Sequence, residues 1–177
     1  MSLVLLIGGA RAGKSRLALE LGSLWSGGVT FVATAEARDA EMSDRIARHR
    51  AGRPPEWTTV EEPLELGAAL SALPDEEFVI VDCLTLWVAN LLERGDAEPD
   101  VLGQAAEVAA LAAGRPAPLV AVSNEVGLGI VPATPLGRAY RDLLGDVNRV
   151  FAEHAERAFL VVAGRGLPLA RAEDVLG

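Results

Sequence analysis

The residues with the clearest chemistry form one short glycine-rich segment near the start of the chain. The segment reads Gly8-Gly9-Ala10-Arg11-Ala12-Gly13-Lys14-Ser15, which matches the pattern G-x-x-x-x-G-K-[ST]. In such loops backbone N–H groups wrap the phosphates, the lysine reaches the β- and γ-phosphates, and the hydroxyl holds Mg²⁺. Lys14 is the only lysine among sixteen basic residues, and a compact ammonium suits a phosphate cradle better than a guanidinium. The segment therefore predicts binding of a nucleoside triphosphate.

A second candidate is Asp82, which ends the apolar run Phe78-Val79-Ile80-Val81. Open α/β sheets bind their ligands at the carboxyl ends of strands. An acidic residue there commonly holds Mg²⁺ beside the hydroxyl of the phosphate loop. Ser15 and Asp82 are therefore the predicted metal ligands. Cys83 has no basic residue or histidine near it in the sequence, so we interpret it as a packing residue and not a nucleophile.

A third candidate is His49, one of only two histidines in the chain. Its sequence neighbours include Arg45, Arg48, Arg50 and Arg53. Clustered positive charge is unfavourable unless an anion binds in it, and it favours the neutral, nucleophilic imidazole. Such an imidazole can attack phosphorus and form a phosphoramidate. The residues leave a second interpretation open, a passive histidine at a helix C-terminus.

These side chains require a scaffold of alternating strands and helices. Short apolar runs predict strands over Leu3–Ile7, Val29–Thr34, Trp57–Val60, Phe78–Asp82, Leu119–Ser123 and Phe159–Ala163. Helical spacing and breakers predict helices over Ser15–Leu21, Asp39–Arg50, Pro63–Leu73, Leu84–Arg94, Val101–Ala113 and Leu136–Arg157. The alternation predicts an α/β protein with a mostly parallel sheet flanked by helices. The length predicts a single domain over residues 1–177.

Composition narrows the possible partners and the compartment. The net charge is −9, and no basic patch of the breadth that duplex nucleic acid requires is present in the sequence. No apolar run approaches the ~18 residues of a membrane span. The first strand begins almost at Met1, which leaves no room for a signal peptide, and a single cysteine suits a reducing compartment. We therefore expect a cytoplasmic protein that binds neither nucleic acid nor membranes.

Several further blocks resemble one family along nearly the whole chain, the bifunctional adenosylcobinamide kinase / adenosylcobinamide-phosphate guanylyltransferases of cobalamin assembly. The blocks, in the family's order, are Gly8 to Ser15, Ala33-Thr34-Ala35-Glu36-Ala37 with Asp39 to Met42, Arg45 to Arg50 with Arg53-Pro54, Glu61-Glu62-Pro63, Val81 to Trp87, Ser123-Asn124-Glu125-Val126-Gly127-Leu128-Gly129-Ile130-Val131-Pro132, and Arg141 to Asn148. The chain departs from the family pattern at Ala12, where serine is expected, and at Arg165-Gly166, which look like extra residues.

The resemblance implies a RecA-like P-loop fold, a homotrimer and two reactions. Adenosylcobinamide is first phosphorylated by ATP or GTP, and its phosphate then receives GMP from GTP through a guanylylated histidine, which falls on His49. The nucleotide contacts that the resemblance implies are Gly8, Gly9, Ala10, Arg11, Ala12, Gly13, Lys14, Ser15, Ala33, Thr34, Ala35, Arg50, Ala51, Gly52, Arg53, Glu61 and Asp82.

The phosphate loop also raises three alternative functions. A monofunctional small-molecule kinase would need the phosphate loop and Asp82 but would have no use for His49 among arginines. A GTPase switch would need an N-K-x-D motif, which is impossible where Lys14 is the only lysine. A nucleotide-dependent interaction module without catalysis would form no covalent adduct with GMP.

Overall fold

The computed structural model describes residues 3–175, with the side chains of Glu41 and Arg45 outside that description. Seven strands form one sheet in the order β3-β2-β4-β5-β1-β6-β7. They are β1 (Leu3–Gly8), β2 (Val29–Ala33), β3 (Thr58–Glu61), β4 (Phe78–Asp82), β5 (Leu119–Asn124), β6 (Arg157–Val162) and β7 (Arg165–Leu169). Every neighbouring pair is parallel except β6 and β7. The predicted mostly parallel α/β sheet is confirmed.

Helices cover both faces of this sheet. They are α1 (Lys14–Ser23), α2 (Ala40–Ala51), α3 (Leu66–Ser71), α4 (Leu84–Arg94), α5 (Glu98–Gly114), α6 (Pro135–His154) and α7 (Ala172–Val175). Because side chains alternate along a strand, Leu3 and Leu5 enter one core with α4, α5 and α6, whereas Val4 and Leu6 enter the core beneath α1. Burial on both faces explains why the central strands are continuous apolar runs.

Two predicted helices are wrong in extent. The helix expected over Pro63–Leu73 is only α3, because Glu62 Oε1 accepts hydrogen bonds from the N–H groups of Leu64 and Glu65 in a turn before it. The helix expected to reach Arg157 ends at His154, because the backbone of Ala155 is extended and Arg157 begins β6.

The antiparallel strand β7 was not predicted. It is exposed along its whole length and contains Pro168, which is tolerated because β7 is an edge strand. The β6–β7 turn consists of Ala163 and Gly164, both with positive φ (50° and 75°), as a tight hairpin requires. The N–H of Gly164 donates to the carbonyl of Ala12 at 2.7 Å, so the turn packs against the glycine-rich loop. Within residues 3–175, none of the helices has the length and apolar character to cross a membrane.

Candidate active site

The glycine-rich loop connects β1 to α1, as its motif requires. Lys14 is buried, and its Nζ donates to the carbonyls of Gly8 and Gly9 at 2.8 and 2.7 Å. Burial lowers the pKa of Lys14 from its usual value, and the nearby Cys83 and Asp82 act in the opposite direction. The ammonium is thereby held at the start of α1, where the backbone N–H groups of a helix N-terminus also favour an anion.

The loop must contain glycine at position 13 for two reasons. Gly13 has a φ of 99°, in the left-handed region that residues with a Cβ rarely adopt. A Cβ there would also lie 2.9 Å from the Cα of Gly164 in the β6–β7 turn. At Ala12, where the resemblance predicts serine, the backbone carbonyl accepts from the N–H of Gly164. The Ala12 side chain is therefore not needed for this contact.

A cavity of about 380 Å³ opens beside the loop, at the carboxyl edge of the sheet. Its lining includes most of the predicted site residues, namely Ala10, Arg11, Ala12, Gly13, Lys14, Ser15, Ala33, Ala35, His49, Arg53 and Asp82. This volume lies within the range typical of small-molecule sites, about 300–1,000 Å³. Residues far apart in the sequence therefore meet around one ligand-sized space.

Asp82 lies at the end of β4 with its side chain only 10% exposed. Its Oδ2 atom is buried and has no hydrogen-bond partner in the part of the chain that the structure describes. A buried carboxylate oxygen without a donor is costly unless a cation or donor meets it. Mg²⁺ typically takes one or two protein oxygens together with waters and substrate phosphates, so the pair Ser15 and Asp82 fits this ion. Residues 3–175 contain no cluster of three or more histidine, cysteine or acidic ligands.

His49 reaches the same cavity from α2. Asp39 caps this helix by accepting from the N–H of Met42 at 2.7 Å. Met42, Ile46 and His49 then lie on one helical face and all line the cavity. His49 Nδ1 lies 3.9 Å from Asp82 Oδ2, and its side chain remains 43% exposed. The imidazole is therefore accessible and stands next to the predicted metal carboxylate.

The arginines around His49 point in different directions. Arg53 lines the cavity, with its guanidinium 3.6 Å from the centre of the Phe31 ring and Nη1 donating to Thr59 at 3.2 Å. Burial lowers the pKa of Arg53, and the charge of Asp82 opposes this shift.

Arg48 and Arg50 are turned away from the cavity. Arg50 forms an ion pair with Glu61 at 2.6 Å, and Arg48 donates from Nε to the carbonyl of Asp44 at 3.2 Å. The side chain of Arg45 lies outside the described residues. The expectation that the arginines surround His49 is wrong for Arg48 and Arg50, because successive helical residues point about 100° apart.

Several implied nucleotide contacts do not line the cavity, namely Gly8, Gly9, Thr34, Arg50, Ala51, Gly52 and Glu61. Thr34 is fully buried instead. Its hydroxyl donates to the carbonyl of Cys83 at 2.7 Å and accepts from the N–H of Cys83 at 2.8 Å. Thr34 thus ties β2 to the residue that follows Asp82, and the peptide bond between Asp82 and Cys83 is cis.

Sequence reasoning missed other lining residues, which are Arg16, Phe31, Met42, Ile46, Cys83, Leu86, Val122 and Asn124. For Phe31 and Val122 no signal distinguishes a cavity-facing strand residue from a core residue. Asn124 did carry a signal. Like Asp82, it is a polar residue at the carboxyl end of an apolar strand.

The fold and this loop define a nucleotide-binding protein of the RecA-like P-loop class. The RadB recombinase crystal structure superposes with a TM-score of 0.51 at 17% identity, covering 90% of this chain and 73% of that one. A Pyrococcus horikoshii OT3 protein, from the structural study of PH0250, gives a TM-score of 0.55 at 11% identity, covering 98% and 89%. At these identities the likeness extends to the fold alone.

Sequence comparison identifies the family. The model of the CobU family, cobinamide kinase / cobinamide phosphate guanyltransferase, matches residues 4–169. The bifunctional adenosylcobalamin biosynthesis protein CobP of Pseudomonas aeruginosa is 46% identical, with 93% of this chain and 95% of that protein aligned. CobU of Escherichia coli K12, with the same description, is 42% identical over 94% and 99%. This chain belongs to the cobinamide kinase / cobinamide phosphate guanyltransferase family.

Proposed function

We propose that this protein phosphorylates adenosylcobinamide with ATP or GTP and then converts the product to adenosylcobinamide-GDP. One observation carries the proposal: a phosphate loop, an acidic strand end and an accessible histidine line the same cavity. A kinase needs the first two, and transfer of GMP through the enzyme needs the third. Family membership supplies the corrinoid substrate.

In the kinase reaction the terminal hydroxyl of the cobinamide side chain attacks the γ-phosphorus. The bond from that phosphorus to the β–γ bridging oxygen breaks, a nucleoside diphosphate leaves, and the hydroxyl proton passes to solvent. Lys14 and the loop N–H groups hold the triphosphate and offset its charge in the transition state. Ser15 and Asp82 would hold Mg²⁺, which supplies further charge neutralisation on the phosphates.

In the second reaction His49 attacks the α-phosphorus of GTP. The bond to the α–β bridging oxygen breaks, pyrophosphate leaves, and a phosphoramidate joins GMP to the ring. Nδ1 is the nitrogen next to Asp82, so we assign the attack to Nε2. A phosphate oxygen of adenosylcobinamide phosphate then displaces the histidine, which regenerates the free ring and forms the diphosphate of the product.

The position of His49 disfavours a monofunctional kinase. A kinase that transfers only the γ-phosphoryl group has no need for an accessible imidazole beside its metal carboxylate. We also propose a single cytoplasmic domain, on the strength of length and composition, and a homotrimer, on the strength of the family resemblance. Light scattering of the purified protein measures the assembly directly.

The test is to incubate the protein with GTP and Mg²⁺, denature it, and measure its intact mass. We expect a covalent GMP adduct that acid removes and alkali does not, as for a phosphoramidate. A matched control is His154→Ala, which removes the other histidine; that residue is exposed on α6. Absence of an adduct from active, nucleotide-binding protein would contradict the proposed second reaction. An adduct that survives mild acid but not alkali would rule out His49 as the carrier.

A further inference from the structure

Asn124 occupies a position between the two best-defined parts of the cavity. It ends β5, which lies between β1 and β4 in the sheet. Its register partner on β1 is Gly8, the first residue of the phosphate loop. On the other side β4 ends at Asp82. Asn124 lines the cavity together with Lys14 and Asp82, so it faces the region where the phosphates of a bound nucleotide lie.

Buried polar side chains fix the backbone of Asn124. Its N–H donates to Thr85 Oγ1 at 2.8 Å, and its carbonyl accepts from Asn148 Nδ2 at 3.0 Å. Asn148 is held in turn because its Oδ1 accepts from the hydroxyl of Ser123 at 2.5 Å. Thr85, Ser123 and Asn148 are each at most 7% exposed. Buried polar groups are costly unless they are hydrogen-bonded. Here the hydrogen bonds of these three side chains all hold the carboxyl end of β5.

The side-chain amide of Asn124 is left available by this arrangement. Among the described residues, no hydrogen bond engages its Oδ1 or Nδ2, although both backbone groups are bonded. A carboxamide offers two N–H donors and one acceptor. A free donor on a backbone that is held beside a phosphate cradle is the kind of group that can stabilise charge developing on a transferred phosphoryl group.

We propose that Asn124 is a catalytic residue of the phosphoryl-transfer reaction, donating from Nδ2 to an oxygen of the γ-phosphoryl group as it passes to the cobinamide hydroxyl. This inference rests on the proposed function. Bond making and breaking are those of the kinase reaction above, and Asn124 neither gains nor loses a proton.

The sheet order assigns this role to the kinase reaction and not to GMP transfer. Asn124 stands on the β1 side of Asp82, next to the phosphate loop. His49 comes from α2, which joins β2 to β3 on the opposite side of β4. A hydrogen bond to the γ-phosphoryl group changes most when that group moves, whereas in guanylylation it leaves within pyrophosphate.

The experiment compares Asn124→Ala and Asn124→Asp with wild type in both half-reactions. For Asn124→Ala we expect kcat for cobinamide phosphorylation to fall by about 10²-fold, the usual effect of losing one preorganised donor. The KM for the nucleotide should change little, because the interaction forms in the transition state. Asn124→Asp keeps an acceptor but loses the donor and adds negative charge, so it should be no more active than Asn124→Ala. The rate of GMP-adduct formation should fall much less than kcat for phosphorylation, and the Tm should be unchanged.

Three results would overturn the role of Asn124 while leaving the proposed function intact. They are a wild-type kcat in Asn124→Ala, activity restored by aspartate, and equal losses in both half-reactions. If wild-type enzyme forms the GMP adduct but transfers no phosphoryl group to cobinamide, the proposed kinase function itself fails, and this inference fails with it.

Discussion

On the β1–β5 side of the cavity the functional groups lie at the start of α1 and at the end of β5, whereas on the α2 side they extend from a helix that is mostly exposed. Lys14 and the backbone of Asn124 are held by hydrogen bonds to buried partners. The His49 side chain is 43% exposed, and its Nδ1 lies 3.9 Å from Asp82 Oδ2. The first side is built to hold a triphosphate in one geometry. In the proposed mechanism, the second side presents a nucleophile that reacts first with GTP and then with a large acceptor.

Lys14→Ala should have the largest effect because both proposed reactions depend on the ammonium that holds the triphosphate. Both reactions need the triphosphate held and its charge offset, so each rate should fall by at least ~10²-fold. Steady-state assays of cobinamide phosphorylation and of adduct formation measure the two losses. Phosphorylation within a few-fold of wild type would mean that the loop does not bind the reacting nucleotide.

His49→Ala should separate the two proposed reactions. We expect complete loss of the GMP adduct and of adenosylcobinamide-GDP, with most of the phosphorylation rate retained, because the acceptor hydroxyl attacks the γ-phosphorus directly. Both products can be followed by chromatography of one reaction mixture, with His154→Ala as the matched control. Equal losses of both activities would make His49 a structural residue or a general base.

Thr34→Val should remove the hydrogen bonds that tie β2 to Cys83, without removing a reacting group. The substitution preserves shape but leaves the N–H and carbonyl of Cys83 without their hydroxyl partner. Unsatisfied buried groups cost about 1–3 kcal/mol, which corresponds to a fall in Tm of roughly 2–4 °C per kcal/mol for a chain of this size. Thr58→Val, at an exposed position of β3, is the control and should leave the Tm unchanged. Equal melting temperatures for the two variants would contradict the role given to Thr34.

The smallest predicted effect is slow chemical modification of the Cys83 thiol. Burial, with a further contribution from Asp82, raises the pKa of Cys83 to about 11. Thiolate therefore forms only as the pH rises towards that value, and iodoacetamide at pH 8 should react at least ~10²-fold more slowly than with an ordinary thiol of pKa ~8.5. Mass spectrometry follows the reaction, and denatured protein serves as the control. Fast labelling of folded protein at pH 8 would show that the thiol is accessible and ionised.

Residues close in the sequence could be assigned from the sequence alone, and residues that meet only in the fold could not. The loop from Gly8 to Ser15 has fixed spacing, so its place between β1 and α1 was predicted correctly. The strand ending at Asp82 was predicted as well, because a strand buried on both faces is a continuous apolar run. The approach of His49 to Asp82 depends on how α2 packs over the sheet, which no local pattern encodes.

Two further features, the orientation of Arg50 and the strand β7, were not predicted from the sequence for the same physical reason. Charge density along the chain suggested that the arginines converge on His49, yet Arg50 pairs with Glu61 because helix geometry turns it aside. Strand β7 is short, exposed along its whole length and contains Pro168, so its pairing with β6 is what identifies it. Arg165 and Gly166, which look like additions to the family pattern, form the start of this strand.

The contact between Gly164 and the phosphate loop also bears on when the site is complete during synthesis. The loop is translated well before the β6–β7 turn, but its Ala12 carbonyl is bonded by Gly164 and β1 is paired with β6. A nascent chain that ends before the β6–β7 turn therefore lacks one support of its phosphate cradle. Nucleotide binding should therefore appear only after the β6–β7 turn has left the ribosome.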